Sequence, residues 1–299
     1  MILSLFASVA GVWQGAVSST DDTRGLRGYH AKQAHRFSQS RQFRLRRRRI
    51  SGRQWRIVEA GLRQDWSPEQ ISGVMRRRGL VPVSPERIYQ YVYADKRLGG
   101  TLHTHLRIQK RRRKRRGVFN RRGQIKERVW ISDRPEIVQA RARIGDWEVD
   151  TIVGKQNDPA LVTMTERRSR LCRIAKVPDR KAASAQKAIS QTLSPLRDKV
   201  HTLTYDNGPE FSHHQKVNRD LGAKSFFAHP YHSWERGSNE NMNGLLRQYF
   251  PKGRSMRAIS KTQIKLIAER LNNRPRKGLG YKTPNQVFKE KISDVARVD

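Results

Sequence analysis

The chain has 63 Lys and Arg against 26 Asp and Glu over 299 residues, a net charge of +37. An excess of that size opposes compaction by self-repulsion unless a polyanion neutralises it. Nucleic acid is the leading partner, an anionic membrane surface the second, and a ribosomal or packaging role the third. Apolar residues make up 35%, below the usual range of about 45–50%. Aromatic residues nevertheless run through the C-terminal half, so a core is expected there and a more polar, more basic region in the N-terminal third. The only cysteine, Cys172, rules out an internal disulfide and a Cys-rich zinc site. Its setting, RLCRIAKV, reads as a strand with a buried structural thiol.

The opening stretch MILSLFASVAGVWQGAVSS is apolar and then small-residue rich, but lacks the basic start of a secretory signal. It is also shorter than the roughly 20 apolar residues that span a bilayer. Residues 1–27 are therefore expected to be an ill-defined leader on a soluble, cytoplasmic protein with no membrane partner.

Helix signals follow. Trp55, Val58, Glu59 and Leu62 suggest one helix that closes near Gln64–Asp65. Ser67-Pro68-Glu69-Gln70 supplies a cap, a first-position proline and a capping box, and Gly79 ends the helix it opens. Ser84-Pro85 starts a third, with Ile88, Tyr89, Val92 and Tyr93 at helical spacing. Short helices joined by a turn in a basic setting fit a helix-turn-helix. Residues 28–106 are thus expected to form a helical DNA-binding region, with Arg87, Gln90 and Tyr91 facing the groove. Residues 107–122, RIQKRRRKRRGVFNRR, are expected to order only on a phosphate backbone; they open a basic linker placed at 107–139.

From residue 140 the pattern becomes α/β. Strands are expected at Trp147–Val153, Ala160–Thr165, Leu171–Val177, Val200–Tyr205 and Lys224–Ala228. Helices are expected at 180–193, Phe211–Leu221 and Ser238–Phe250. Three strands, then helix and strand in alternation, match a ribonuclease H-like sheet over residues 140–293.

Three carboxylates stand out there. Asp150, in WEVDTIVG, alternates onto one strand face with Glu148 and Ile152, and a carboxylate inside an apolar strand is costly to bury without a cation. Asp146, after Gly145, reads as an ordinary solvated turn residue. Asp206 ends the strand HTLTYD, where α/β sheets gather their sites, although an Asp-Asn-Gly turn also has a purely structural reading. Glu240, in GSNENMNGLLRQYF, falls opposite the apolar stripe Met242, Leu245, Leu246, Tyr249 and Phe250. A lone Glu there would be a solvated helix face. A hard cation such as Mg²⁺ prefers oxygen ligands, and a pair of such ions can activate attacking and leaving oxygens. His213, His214, His229 and His232 lack a tight ligand pair, so zinc is not expected.

The segments WEVDTIVG, YDNGPEF and GSNENMNG resemble the signature segments of DDE transposases and retroviral integrases. With ERRSRL and the tail LNNRPRKGLGYKTPNQVF, the chain resembles the insertion-sequence-thirty family of bacterial transposases over residues 25–293. The resemblance implies a ribonuclease H-like integrase core in which Asp150, Asp206 and Glu240 are the catalytic, metal-binding triad. It also implies that WSPEQISGVMRRRG…VSPERIYQYVY is the family's second helix-turn-helix. Family members carry another such motif ahead of the segment resembling RGYHAKQAH. The apolar leader holds that place here, and a truncated or misassigned start is the expectation.

The expected activity is Mg²⁺-dependent cleavage at the ends of an insertion sequence followed by strand transfer, with Mn²⁺ a substitute ion. Arg236, Arg247, Lys252 and Arg254 would position phosphates without reading bases. A homo-oligomer follows from the need to pair two DNA ends. Two rivals remain open from sequence: a catalytically inactive repressor derived from a transposon, and a nucleic-acid chaperone driven by charge alone.

Overall fold

A computed structural model describes residues 31–45, 50–107, 125–155, 158–230 and 232–295. The leader and residues 108–122 of the basic run lie outside the described residues. The chain divides into two compact units between Ile50 and Ser51. In the first, helix α1 spans Ala31–Leu45.

The second unit begins with three capped helices, α2 (Gly52–Arg63), α3 (Pro68–Arg77) and α4 (Pro85–Arg97). Ser67 and Gln70 form the expected capping box on α3. Val58, Leu62, Ile71, Met75, Ile88 and Val92 are buried, with α3 packed against both α2 and α4, which is the amphipathic spacing read from the sequence.

A five-stranded sheet follows: β1 (Asp146–Val153), β2 (Ala160–Glu166), β3 (Cys172–Val177), β4 (Thr202–Tyr205) and β5 (Lys224–Phe227). The order is β3-β2-β1-β4-β5. The hairpin partners β1, β2 and β3 are antiparallel, while β4 and β5 run parallel to β1. The helices are α5 (Glu136–Gln139), α6 (Ala182–Leu193), α7 (His214–Leu221), α8 (Gly237–Tyr249), α9 (Lys261–Asn272) and α10 (Pro284–Val295).

Both sheet faces are covered, so β1 has no solvent side. Trp147 and Val149 enter a core with α6 and α7, whereas Ile152 enters a second core with Met242, Leu245, Leu246 and Phe250 of α8. Cys172 is fully buried, and burial pushes its thiol up to about 12, as expected of an inert structural thiol.

Two expectations are corrected here. Asp146 is not a solvated turn residue. It is a fully buried strand residue that accepts from Arg143 and from the Thr202 hydroxyl at 2.8 Å. The segment expected as linker up to residue 139 is folded onto the sheet from Ile125. Ile125 lies in the first core, and Trp130 bridges to Phe227 at the free edge of β5.

The helical region is not tethered loosely. Helix α3 rests on the loop after α9: the Gln70 amide donates to Pro275 O at 2.7 Å and accepts from Arg274 Nε at 3.0 Å. Arg77 donates to Tyr281 O at 3.1 Å. The Tyr281 ring lies so close to Gly73 that a Cβ there would stand 2.3 Å from it. Among the described residues no helix is long and apolar enough to cross a membrane.

Candidate active site

The site grows from the parallel pairing of β1 with β4. The register sets Glu148 opposite Thr204, and two further residues along each strand bring Asp150 beside Asp206. The Arg236 guanidinium joins them, lying 3.5 Å from Asp150 Oδ2 and 3.7 Å from Asp206 Oδ2. Asp150 also accepts from Thr151 N at 2.8 Å and from the Asn243 amide at 2.7 Å. Asp206 Oδ1 takes the Gly208 N–H at 2.9 Å. Burial pushes the Asp150 carboxyl upward, Arg236 draws it back down, and neighbouring Asp206 pushes it up again.

Helix α8 lies along β1. At 100° per residue, Arg236, Glu240, Asn243 and Arg247 form one row. Arg236 touches Val149 O and Asp150, Asn243 touches Asp150, and Arg247 donates to Val153 O at 2.9 Å. Glu240 belongs to this row and is exposed in the first turn of α8. Among the described residues no three His, Cys, Asp or Glu stand close enough to hold a metal ion. The two aspartates do converge on one cation, and the donors are all oxygen. That chemistry fits a hard divalent ion between Asp150 and Asp206. Glu240, expected as the third ligand, shares the helix row but is not brought into a metal-holding group with them among the described residues.

Beneath the site Glu148, the carboxylate that competes with Asp150 in the sequence, is committed to a buried ion pair that no local pattern reveals. Glu148 and Arg167 are both buried and hydrogen-bonded to each other. The second Glu148 oxygen accepts from Asn239 N at 2.9 Å. This pair therefore fastens the first turn of α8, next to Glu240, to the strand that carries Asp150.

The sequence pattern of the integrase core domain matches residues 140–233, the span that holds both aspartates. The chain is 46% identical over 239 residues to the transposase for insertion sequence element IS4351 of Bacteroides fragilis. That match covers 80% of this chain and 73% of the relative. It is 38% identical over 253 residues to the transposase for IS1086 of Cupriavidus metallidurans, again covering 80% and 73%. The chain belongs to the insertion-sequence transposases. A third relative, the transposase InsI for IS30A of Escherichia coli, is 34% identical over 256 residues, covering 80% of this chain and 65% of its own. The transposase has the ribonuclease H-like integrase core that its motifs implied.

Of the expected DNA contacts, Lys252 and Arg254 are exposed in the turn after α8. That turn packs against the end of β1, where a Cβ on Gly154 would stand 2.3 Å from Arg254 O. Arg247 is partly buried, and burial pushes its guanidinium down. Arg87 and Gln90 are exposed on α4 and hydrogen-bonded to each other at 3.0 Å. Tyr91 is corrected: it turns inward, stacks on Trp55 at 4.0 Å between ring centroids, and donates to Glu59 at 2.5 Å. Tyr89 and Tyr93 hold the exposed face instead. Among the histidines, His229 pairs with Glu235 at 2.9 Å and stacks on Trp130, while His214 lies buried against Phe227.

Asn207 and Arg128 were also missed. Arg128 donates to Asn207 Oδ1 at 2.7 Å, and Asn207 donates to Ala228 O at 2.7 Å. Together they pin the turn that holds Asp206.

Proposed function

We propose that the transposase cuts the DNA strands at the ends of its insertion sequence and joins the freed 3′-hydroxyls to target DNA. Asp150, Asp206 and Glu240 serve as the catalytic triad and hold a pair of Mg²⁺ ions, with Mn²⁺ able to substitute. The observation that carries this reading is the meeting of Asp150 and Asp206, on adjacent parallel strands, around one positive charge. Bound Mg²⁺ supplies Lewis acidity to the attacking and leaving oxygens.

The chain's own residues do the rest. Asn243 and Thr151 N fix the Asp150 carboxylate in one orientation, and Gly208 N does the same for Asp206. Arg236, Arg247, Lys252 and Arg254 bind the phosphates on either side of the scissile bond. Arg87 and Gln90, on the exposed face of α4, read the DNA end. Pairing two ends calls for a second copy of the chain, working on the nucleoid in the bacterial cytoplasm. Residues 28–106 supply DNA binding and 140–293 the chemistry.

The test is cleavage of terminal-repeat DNA with Mg²⁺ by the native chain and by Glu240→Gln. The native chain is expected to nick and the variant to lose nicking while still binding. Equal nicking by the variant removes Glu240 from the triad. Binding without nicking by the native chain would mark a repressor.

A further inference from the structure

Helix α8 has a second working face. Ser238, Asn241, Met242 and Leu245 lie opposite the row that carries Glu240. They line a cavity of about 290 Å³ closed by the start of α3 and by the loop after α9. Four arginines, Arg107, Arg170, Arg274 and Arg276, open onto this cavity. The one acid among its described lining residues, Glu69, is taken by Lys277 at 2.7 Å. Asp65 lies within electrostatic reach of Arg274, but its carboxylate already accepts from Tyr249, Arg270 and His105.

Arg274 is therefore buried, and Arg170 and Arg276 are half-buried, among like charges, with Arg107 exposed beside them. Arg274 is 2% exposed and its NH1 has no hydrogen-bond partner; Arg276 Nε and the Ser238 hydroxyl, itself 1% exposed, have none either. Burial, and then the neighbouring guanidiniums, push Arg276 down to about 10. Buried charges are normally paired, and buried donors normally satisfied. Here the missing partner is an anion with several acceptor oxygens, and forked guanidiniums match a phosphate.

We propose that this cavity binds a phosphate group through Arg274, Arg276 and Ser238, with Arg107 and Arg170 supplying charge at its mouth. It is a separate site from the carboxylates, on the other side of α8, and its occupancy does not depend on the cleavage chemistry. A phosphate seated there ties α8 to the loop after α9, on which α3 rests through Gln70, so it steadies the seat of the helical region on the catalytic sheet. The group is either free phosphate or a phosphate of the DNA backbone.

The test is thermal melting of the full chain in chloride, inorganic phosphate and pyrophosphate at matched ionic strength, for the native protein, Arg276→Gln and Ser238→Ala. Phosphate stabilises proteins generally, so the variants serve as the reference. The native chain is expected to gain several degrees more from phosphate and pyrophosphate than either variant. In chloride, Arg276→Gln is expected to melt no lower than the native chain, because like-charge repulsion is relieved. Equal phosphate responses in all three proteins overturn the site. So does an Arg276→Gln protein that melts lower in chloride yet keeps the full response. Repeating the phosphate series with saturating duplex identifies the source. A native rise no larger than that of Arg276→Gln then means that a backbone phosphate fills the cavity; a rise that still exceeds the variant's means that it takes the free anion.

Discussion

At the scale of single residues, the site is an exercise in burying charge with a partner. Glu148 can be buried only because Arg167 meets it, and removing one member of such a pair leaves an uncompensated charge, costing about 3–5 kcal/mol. Arg167→Met is accordingly expected to lower unfolding stability by that amount in a urea titration. A loss below about 1 kcal/mol would show that Glu148 is held some other way. Asp150 behaves in the opposite sense. Burial is the largest influence on it and raises its folded pKa above the 3.8 of the free side chain. The folded state then holds its proton more tightly than the unfolded chain, so stability falls as pH rises past that value. In chelator, Asp150→Asn is expected to melt above the native chain at pH 7, with the gap closing below about pH 4. Magnesium should raise the native melting point and leave the variant's unchanged. A variant that melts lower at pH 7 in chelator would contradict this account. Sequence alone marked Asp150 because a lone carboxylate interrupts an apolar strand. It misread Asp146, since Gly145 suggested an open turn, whereas Arg143 and Thr202 close over it. No local pattern can disclose a partner that arrives from another strand.

At the scale of elements, local signals served well wherever the chain makes its own contacts. The capping box at Ser67, the proline start at Ser84 and the apolar stripe of α8 are short-range patterns, and each forms in the structure. Long-range packing was not legible in them. Tyr91 keeps helical spacing with Ile88, yet Trp55 from α2 draws its ring inward and leaves the outer face of α4 to Tyr89 and Tyr93. Gly73 is similarly opaque in sequence. A glycine inside a helix costs about 1 kcal/mol relative to alanine, and here the Tyr281 ring requires it. Gly73→Ala is expected to destabilise by about 1–3 kcal/mol through overpacking. In a Tyr281→Ala background the same change should stabilise by up to about 1 kcal/mol. Thermal melts of the four-member cycle read that change of sign; additive effects would mean that the ring does not set the glycine.

At the scale of the whole molecule, the charge of +37 governs behaviour. A transposase that neutralises about 6–10 DNA phosphates should lose roughly 10³–10⁵ in affinity between 50 and 200 mM salt. A fluorescence titration across that range checks this, and a flat response would point to recognition without charge. The sign and size of the charge were legible at once from composition. Its arrangement was not, because the arginines of the α8 cavity come from three separate stretches of the chain, at Arg107, at Arg170 and at Arg274 with Arg276.

The seating of α3 on the loop between Arg274 and Tyr281 has one more consequence. Helix α4 packs on α3, so the helix proposed to read the DNA and the sheet proposed to cut it are fastened together. On that proposal the protein is a fixed ruler, and the cut is expected at a set distance from the recognised bases rather than at the reach of a swinging arm. DNA winds once in about 10–10.5 base pairs. Five extra pairs between the recognised bases and the element's end would therefore turn the scissile bond to the far side of the helix. Ten would restore its facing at a distance that the ruler does not span.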